Sequence, residues 1–98
     1  MTDFIQTIEF TTSSIDDFQS LVEQMRAERG DALTARTSTL TQDRDEPGRY
    51  VVIVRFDSYD EAMRNSNDPV TASYAHKMAE LADSGPTFRN LDVVADEL

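Results

Sequence analysis

The 98-residue chain carries 19 acidic and 9 basic residues, a formal charge of −10. That balance argues against nucleic acid and against anionic membranes as partners, because phosphate binding needs clustered Lys and Arg. The length suits a single domain over residues 1–98 built around one core. With no cysteine, disulfide scaffolds and thiolate metal sites are excluded. No stretch approaches the ~20 apolar residues of a membrane helix, and Met1-Thr2-Asp3 has no basic, signal-like character, so a cytoplasmic location is expected.

The alternation over Phe4 to Thr11 predicts a first strand, with Phe4, Gln6, Ile8 and Phe10 on one face and Ile5, Thr7 and Glu9 on the other. Ser13 or Ser14 then caps a helix whose first-turn Asp16 and Asp17 suit the positive end of the dipole. Ile15, Phe18, Leu21, Val22 and Met25 share one arc of that helix, and Gly30 ends it. Ala32 to Gln42, rich in Thr and Ser, reads as a strand near a sheet edge, and Asp43 to Gly48 as the turn of a hairpin.

The next strand, from Arg49 to about Asp57, sets Tyr50, Val52, Val54 and Phe56 on one face and Val51 and Ile53 on the other. Apolar residues on both faces require cover on both. Ser58 and Glu61 have capping-box spacing, so a helix follows at once. Asn65 to Asp68 interrupts that helix, and Asp68 before Pro69 starts a second piece with Val70, Tyr74, Met78 and Leu81 facing inward. Gly85-Pro86 stops it, and Phe88 to Ala95 is the last strand, with Leu91 and Val93 on one face.

The order β-α-β-β-α-β, with the first and third strands similar in pattern, predicts an α+β, ferredoxin-like domain: a four-stranded antiparallel sheet with both helices on one side and the second helix broken near Asp68. The first and third strands are expected at the centre as parallel neighbours. Ile5, Thr7, Val51 and Ile53 would then stand bare on the face away from the helices, an apolar patch that asks for a partner. The run Tyr50-Val51-Val52-Ile53-Val54-Arg55-Phe56-Asp57-Ser58-Tyr59-Asp60-Glu61-Ala62, the broken helix at Asp68-Pro69 and the closing strand near Phe88 resemble the dimeric α/β-barrel superfamily, in particular its antibiotic-biosynthesis-monooxygenase-like branch. The resemblance implies two sheets packed face to face in a homodimer. It also implies a ligand cleft between the helices and sheet of each subunit, and chemistry ranging from cofactor-independent oxygenation of aromatic polyketides or quinols to haem breakdown. Haem breakdown in that superfamily calls for an asparagine on the first strand, a tryptophan and a histidine. This chain has no tryptophan, and the nearest first-strand amide is Gln6, which disfavours that activity.

Candidate site residues follow. Gln6 interrupts an apolar strand face, either as a satisfied core amide or as the polar anchor of a pocket, with Tyr50 and Tyr74 as companions. His76, the lone histidine, is a candidate general base, but the helical period turns it away from Val70, Tyr74, Met78 and Leu81. Acidic residues are not set at ligand spacing, so no metal site and no cofactor are expected. Glu9 and Arg55 read as a cross-strand ion pair at the dimer interface beside Ile5, Thr7, Val51 and Ile53, within reach of Arg36. Two functions stay open: a small-molecule-binding protein or enzyme acting on an aromatic or quinol ligand, and a non-catalytic homodimeric module without a pocket. Cavity volume between sheet and helices separates them.

Overall fold

A computed structural model describes residues 2–30 and 33–97. The elements are β1 (Phe4–Thr11), α1 (Ile15–Arg29), β2 (Thr37–Gln42), β3 (Arg49–Phe56), α2 (Tyr59–Ser66), α3 (Pro69–Glu80) and β4 (Ser84–Asp92). The strands form one antiparallel sheet in the order β2-β3-β1-β4, and the helices cover one of its faces. This is the ferredoxin-like arrangement, with the second helical region split into α2 and α3.

The local chemistry explains the boundaries. Ser14 occupies the N-cap of α1 without a side-chain cap bond; Thr12 serves the first turn instead, its Oγ1 accepting from Ser14 N at 3.0 Å. The same hydroxyl donates to the Leu81 carbonyl at 2.6 Å, which ties the end of α3 to the start of α1. Gly30, at φ 51°, ends α1. Ser58 caps α2 through the amide of Glu61, while the Glu61 carboxylate turns to Arg64 at 3.2 Å. Asp68 caps α3 by accepting from Val70 N and Thr71 N, with Pro69 at the first helical position, where its missing N–H costs nothing.

Three expectations are corrected. β1 and β3 are central but antiparallel, with Phe4 opposite Phe56 and Phe10 opposite Tyr50. The reason is topological: α1 carries the chain over to β2, and the hairpin return inserts β3 between β1 and β2, so β3 runs against both. Glu9 therefore stands opposite Val51, and Arg55 opposite Ile5, so the two charges do not pair. β2 starts at Thr37; Ala32, its expected first residue, lies outside the described residues, and positions 33–36 are not strand. β4 begins before Phe88, at Ser84, so Gly85 and Pro86 belong to the strand rather than to the helix end, and it finishes at Asp92. Pro86 is tolerated because β4 is an edge strand with one partner.

The helix-facing rungs of the two central strands are Phe4/Phe56, Gln6/Val54, Ile8/Val52 and Phe10/Tyr50. The terminal rungs are aromatic and build the core. Phe10, Tyr50 and Val52 join Phe18 of α1, with the Phe10 ring 4.7 Å from Phe18 and 5.9 Å from Tyr50. At the other end Phe4 and Phe56 pack with Ala62 of α2. Helices are thus propped on rings at both ends of the sheet, above a middle that carries only one amide and three aliphatic side chains.

Candidate functional site

The middle rungs floor a cavity of about 900 Å³ between the sheet and the helices. Strand register extends each rung sideways: Ser38 and Val54 lie in line with Gln6, and Leu40 and Val52 in line with Ile8 and Phe88. Its roof comes from α1 through Phe18, Val22 and Met25, and from α3 through Thr71, Ala72, Ala75 and Met78, while Asn65 and Ser66 close the end at the helix break. Alanines on α3 leave space where longer side chains would have reached the floor. Phe88 lines the cavity with 52% of its surface exposed, which marks the side open to water.

Gln6 is the one polar side chain of the central floor. Its Nε2 donates to Asn90 Oδ1 at 3.1 Å across the β1–β4 pairing, and among the described residues its Oε1 accepts no hydrogen bond. An amide held through its donor with its carbonyl oxygen unengaged can receive a hydroxyl proton from a ligand. The sequence pointed to Gln6; Asn90 was hidden because its alignment depends on the β4 register.

The other candidates lie elsewhere. Tyr50 is buried in the aromatic cluster at the end of the sheet and is not among the residues lining the cavity. Tyr74 is buried between α3 and α1, where its Oη donates to Glu28 Oε2 at 2.7 Å and Lys77 Nζ lies 5.0 Å from its ring centroid. The adjacent Glu28 carboxylate, first through that hydrogen bond and then with burial adding to it, pushes the Tyr74 phenol above its usual range. His76 stands outside the cavity, its side chain 80% exposed and Nε2 3.3 Å from Glu80 Oε1. Among the described residues no group of three or more His, Cys, Asp or Glu is placed to hold a metal ion, and no helix is long and apolar enough to cross a membrane.

Sequence reasoning missed Arg29. Its side chain, 6% exposed, reaches from the last turn of α1 to the break between α2 and α3. Nη1 donates to Asn65 Oδ1 at 2.6 Å and to Thr71 Oγ1, and Nη2 lies 3.5 Å from Asp68 Oδ2. Asn65 and Thr71 also line the cavity, so this guanidinium sets where the cavity ends. A basic residue in the last turn of a helix reads from sequence as a dipole complement, and nothing local signals the longer reach.

On the opposite, helix-free face the remaining expected residues fall into two ion-pair clusters. Glu9 is held by Arg49 and Arg89, each at 3.0 Å. Arg55 is held by Asp3 and Asp96, and Arg36 joins it through Asp3 while also meeting Asp57. Between the clusters lie Ile5, Thr7, Val51 and Ile53, with Ile53 38% exposed.

No protein-family model matches the sequence, and no curated protein matches it. Solved structures do. The fold is similar to that of a conserved protein from Methanosarcina mazei Go1, with a TM-score of 0.80 and 9% identity over 93% of this chain and 92% of that one. A candidate antibiotic biosynthesis monooxygenase from Bordetella bronchiseptica gives a TM-score of 0.77 and 16% identity over 97% of this chain and all of that one. SnoaB, a cofactor-independent oxygenase from Streptomyces nogalater, gives 0.75 and 19% identity over all of this chain and 97% of its own. With nearly end-to-end coverage in each case, the chain shares its ferredoxin-like fold with these solved structures, two of which are described as a candidate antibiotic biosynthesis monooxygenase and a cofactor-independent oxygenase.

Proposed function

We propose that the protein binds a small hydroxylated aromatic or quinol in the cavity between sheet and helices, and that its activity is a cofactor-independent, monooxygenase-like oxidation of that ligand. The observation that carries this reading is the cavity of about 900 Å³ with a mostly apolar floor and the unengaged Gln6 carbonyl oxygen. That volume falls within the range of small-molecule sites, roughly 300–1,000 Å³. An electron-rich aromatic supplies its own reducing electrons to dioxygen, so the protein has only to orient it and keep water away from the reacting carbon. An apolar cleft with one amide anchor suits that task. The fold shared with SnoaB supports the same class of chemistry. The reading as a pocketless structural module has less support, since a closed core would leave no volume of this size.

Binding is tested by thermal shift and calorimetry with hydroxylated polycyclic aromatics and quinols, and turnover by dioxygen consumption with those that bind. Ligands should raise the melting temperature by mass action. Gln6→Leu removes the anchor at similar volume and should weaken binding by about 1–3 kcal/mol with little effect on the free protein. If no compound shifts the melting curve and Gln6→Leu alters only stability, the ligand reading is wrong.

A further inference from the structure

Charge is sparse in the cavity. Among the described residues that line it, Glu23, Arg26 and Arg36 are the ionisable ones. Arg36 is engaged by Asp3 at 2.8 Å and Asp57 at 3.0 Å. Most other cations of this acidic chain are engaged as well: Arg29, Arg49, Arg55, Arg64 and Arg89 by carboxylates, and Lys77 by the Tyr74 ring. Two are not: Arg44, in the turn between β2 and β3 and away from the cavity, and Arg26, whose guanidinium makes no hydrogen bond or ion pair among the described residues. Glu23 precedes Arg26 by one helical turn, a spacing at which opposite charges commonly meet, yet among the described residues the two do not pair. An unpaired guanidinium on the wall of a ligand-sized apolar cavity, in a protein of net charge −10, is a charge lacking its counterpart.

We propose that Arg26 recognises a carboxylate on the ligand, so that the cavity takes a hydroxylated aromatic acid rather than a neutral aromatic. The inference rests on the cavity being the ligand site, and it names the class of that ligand. A guanidinium presents two parallel N–H donors that match the two oxygens of a carboxylate. One free cation suits one negative charge, whereas a phosphate dianion calls for more than one. Arg26 stands on α1 and Gln6 on the strand floor of the same cavity, so the acid end of the ligand would lie against α1 and its ring over Gln6. The overall negative charge does not prevent this, because beyond the ~8 Å screening length of physiological salt the local cation decides.

The probe pair is 1-hydroxy-2-naphthoate and its methyl ester, titrated calorimetrically into the whole protein and into Arg26→Gln, Arg26→Lys and Gln6→Leu. The unaltered protein should prefer the acid over the ester by roughly five- to tenfold, a modest factor for a charge-assisted bond at a partly solvated site. Arg26→Gln should abolish the preference by weakening the acid alone, Arg26→Lys should keep part of it, and Gln6→Leu should weaken both compounds alike. Added salt should narrow the gap. Arg26 is exposed on a helix, so its variants should melt like the parent, which circular dichroism checks. If acid and ester bind equally, or Arg26→Gln leaves the acid's Kd unchanged, the Arg26 assignment is overturned while the cavity reading stands. If neither compound binds while other hydroxylated aromatics do, the Arg26 assignment alone is overturned; if no aromatic or quinol of the wider panel binds either, both are overturned.

Discussion

Asp3 and Glu9 show how single carboxylates on the helix-free face are held ionised. Asp3 accepts from Arg55 Nε at 2.9 Å and from Arg36, and these bonds, Arg55 first, hold its carboxyl below the usual range. Glu9 is held low by Arg89 and then Arg49. Burial opposes the shift in both but does not outweigh it. A carboxylate whose folded value lies below its unfolded value stabilises the fold fully above the unfolded value, near pH 4, and that contribution is lost as pH falls through the folded value. Denaturant titrations of the parent and of Asp3→Asn at pH 7 and at about pH 2 should show the parent ahead at pH 7 and the difference shrinking at the lower pH. A gap of the same size at both would mean that Asp3 acts through packing rather than ionisation. Glu9→Gln should behave the same way.

At the scale of elements, the break between α2 and α3 is the feature from which the cavity follows. Its existence is legible in Asn65 to Asp68 and the Asp68-Pro69 cap, because a cap and a proline at the first helical position are local signals. What holds the two pieces at their angle is not local. Arg29 arrives from α1, and Arg29→Met should show its weight: the stem is kept, and the bonds to Asn65, Thr71 and Asp68 are lost. Leaving those groups unmatched in a half-buried site should lower stability by about 2–4 kcal/mol in urea unfolding and should loosen the protection of the α2–α3 amides in hydrogen exchange. Unchanged stability would show that the cap alone sets the break. Other elements were legible for the same local reason and misread where the reason was not local. The period-2 pattern of β1 and β3 identifies both strands and the faces of Phe4, Gln6, Ile8 and Phe10, but strand direction depends on the connection through β2, which no residue within β1 or β3 encodes. Gly85 likewise reads as a helix stop; its positive φ and a Cβ position only 2.7 Å from the Glu9 carbonyl oxygen belong instead to the irregular β1–β4 pairing, which is invisible until β4 is laid beside β1.

At the scale of the molecule, the Cα extents of 38 × 34 × 17 Å suit one sheet and one helix layer, and among the described residues no helix lies on the second sheet face, which the C-terminal segment meets only at its Ile5 and Arg55 end. Ile5, Val51, Ile53 and Leu91 lie there, with the Glu9 and Arg55 ion-pair clusters on either side. Water against that many aliphatic groups at the centre of a sheet is unfavourable, at roughly 25 cal/mol for each Å² left exposed. We propose that a second copy of the chain covers this face; a stable association of that kind needs about 1,000 Å² or more of buried surface. Light scattering and sedimentation at micromolar concentration should give twice the chain mass. Ile53→Asp places a carboxylate at the middle of the contact and should shift the mass towards one chain; in the helix-covered core, by contrast, nothing changes, so circular dichroism should retain the helical signal of the parent. Ile53→Thr, which keeps the β-branched shape of the neighbouring Thr7 and Thr39, should weaken association less and serves where the aspartate variant is too unstable to purify. A parent protein that sediments as a single chain across that range would remove the dimer and leave the helix-free face to some other partner.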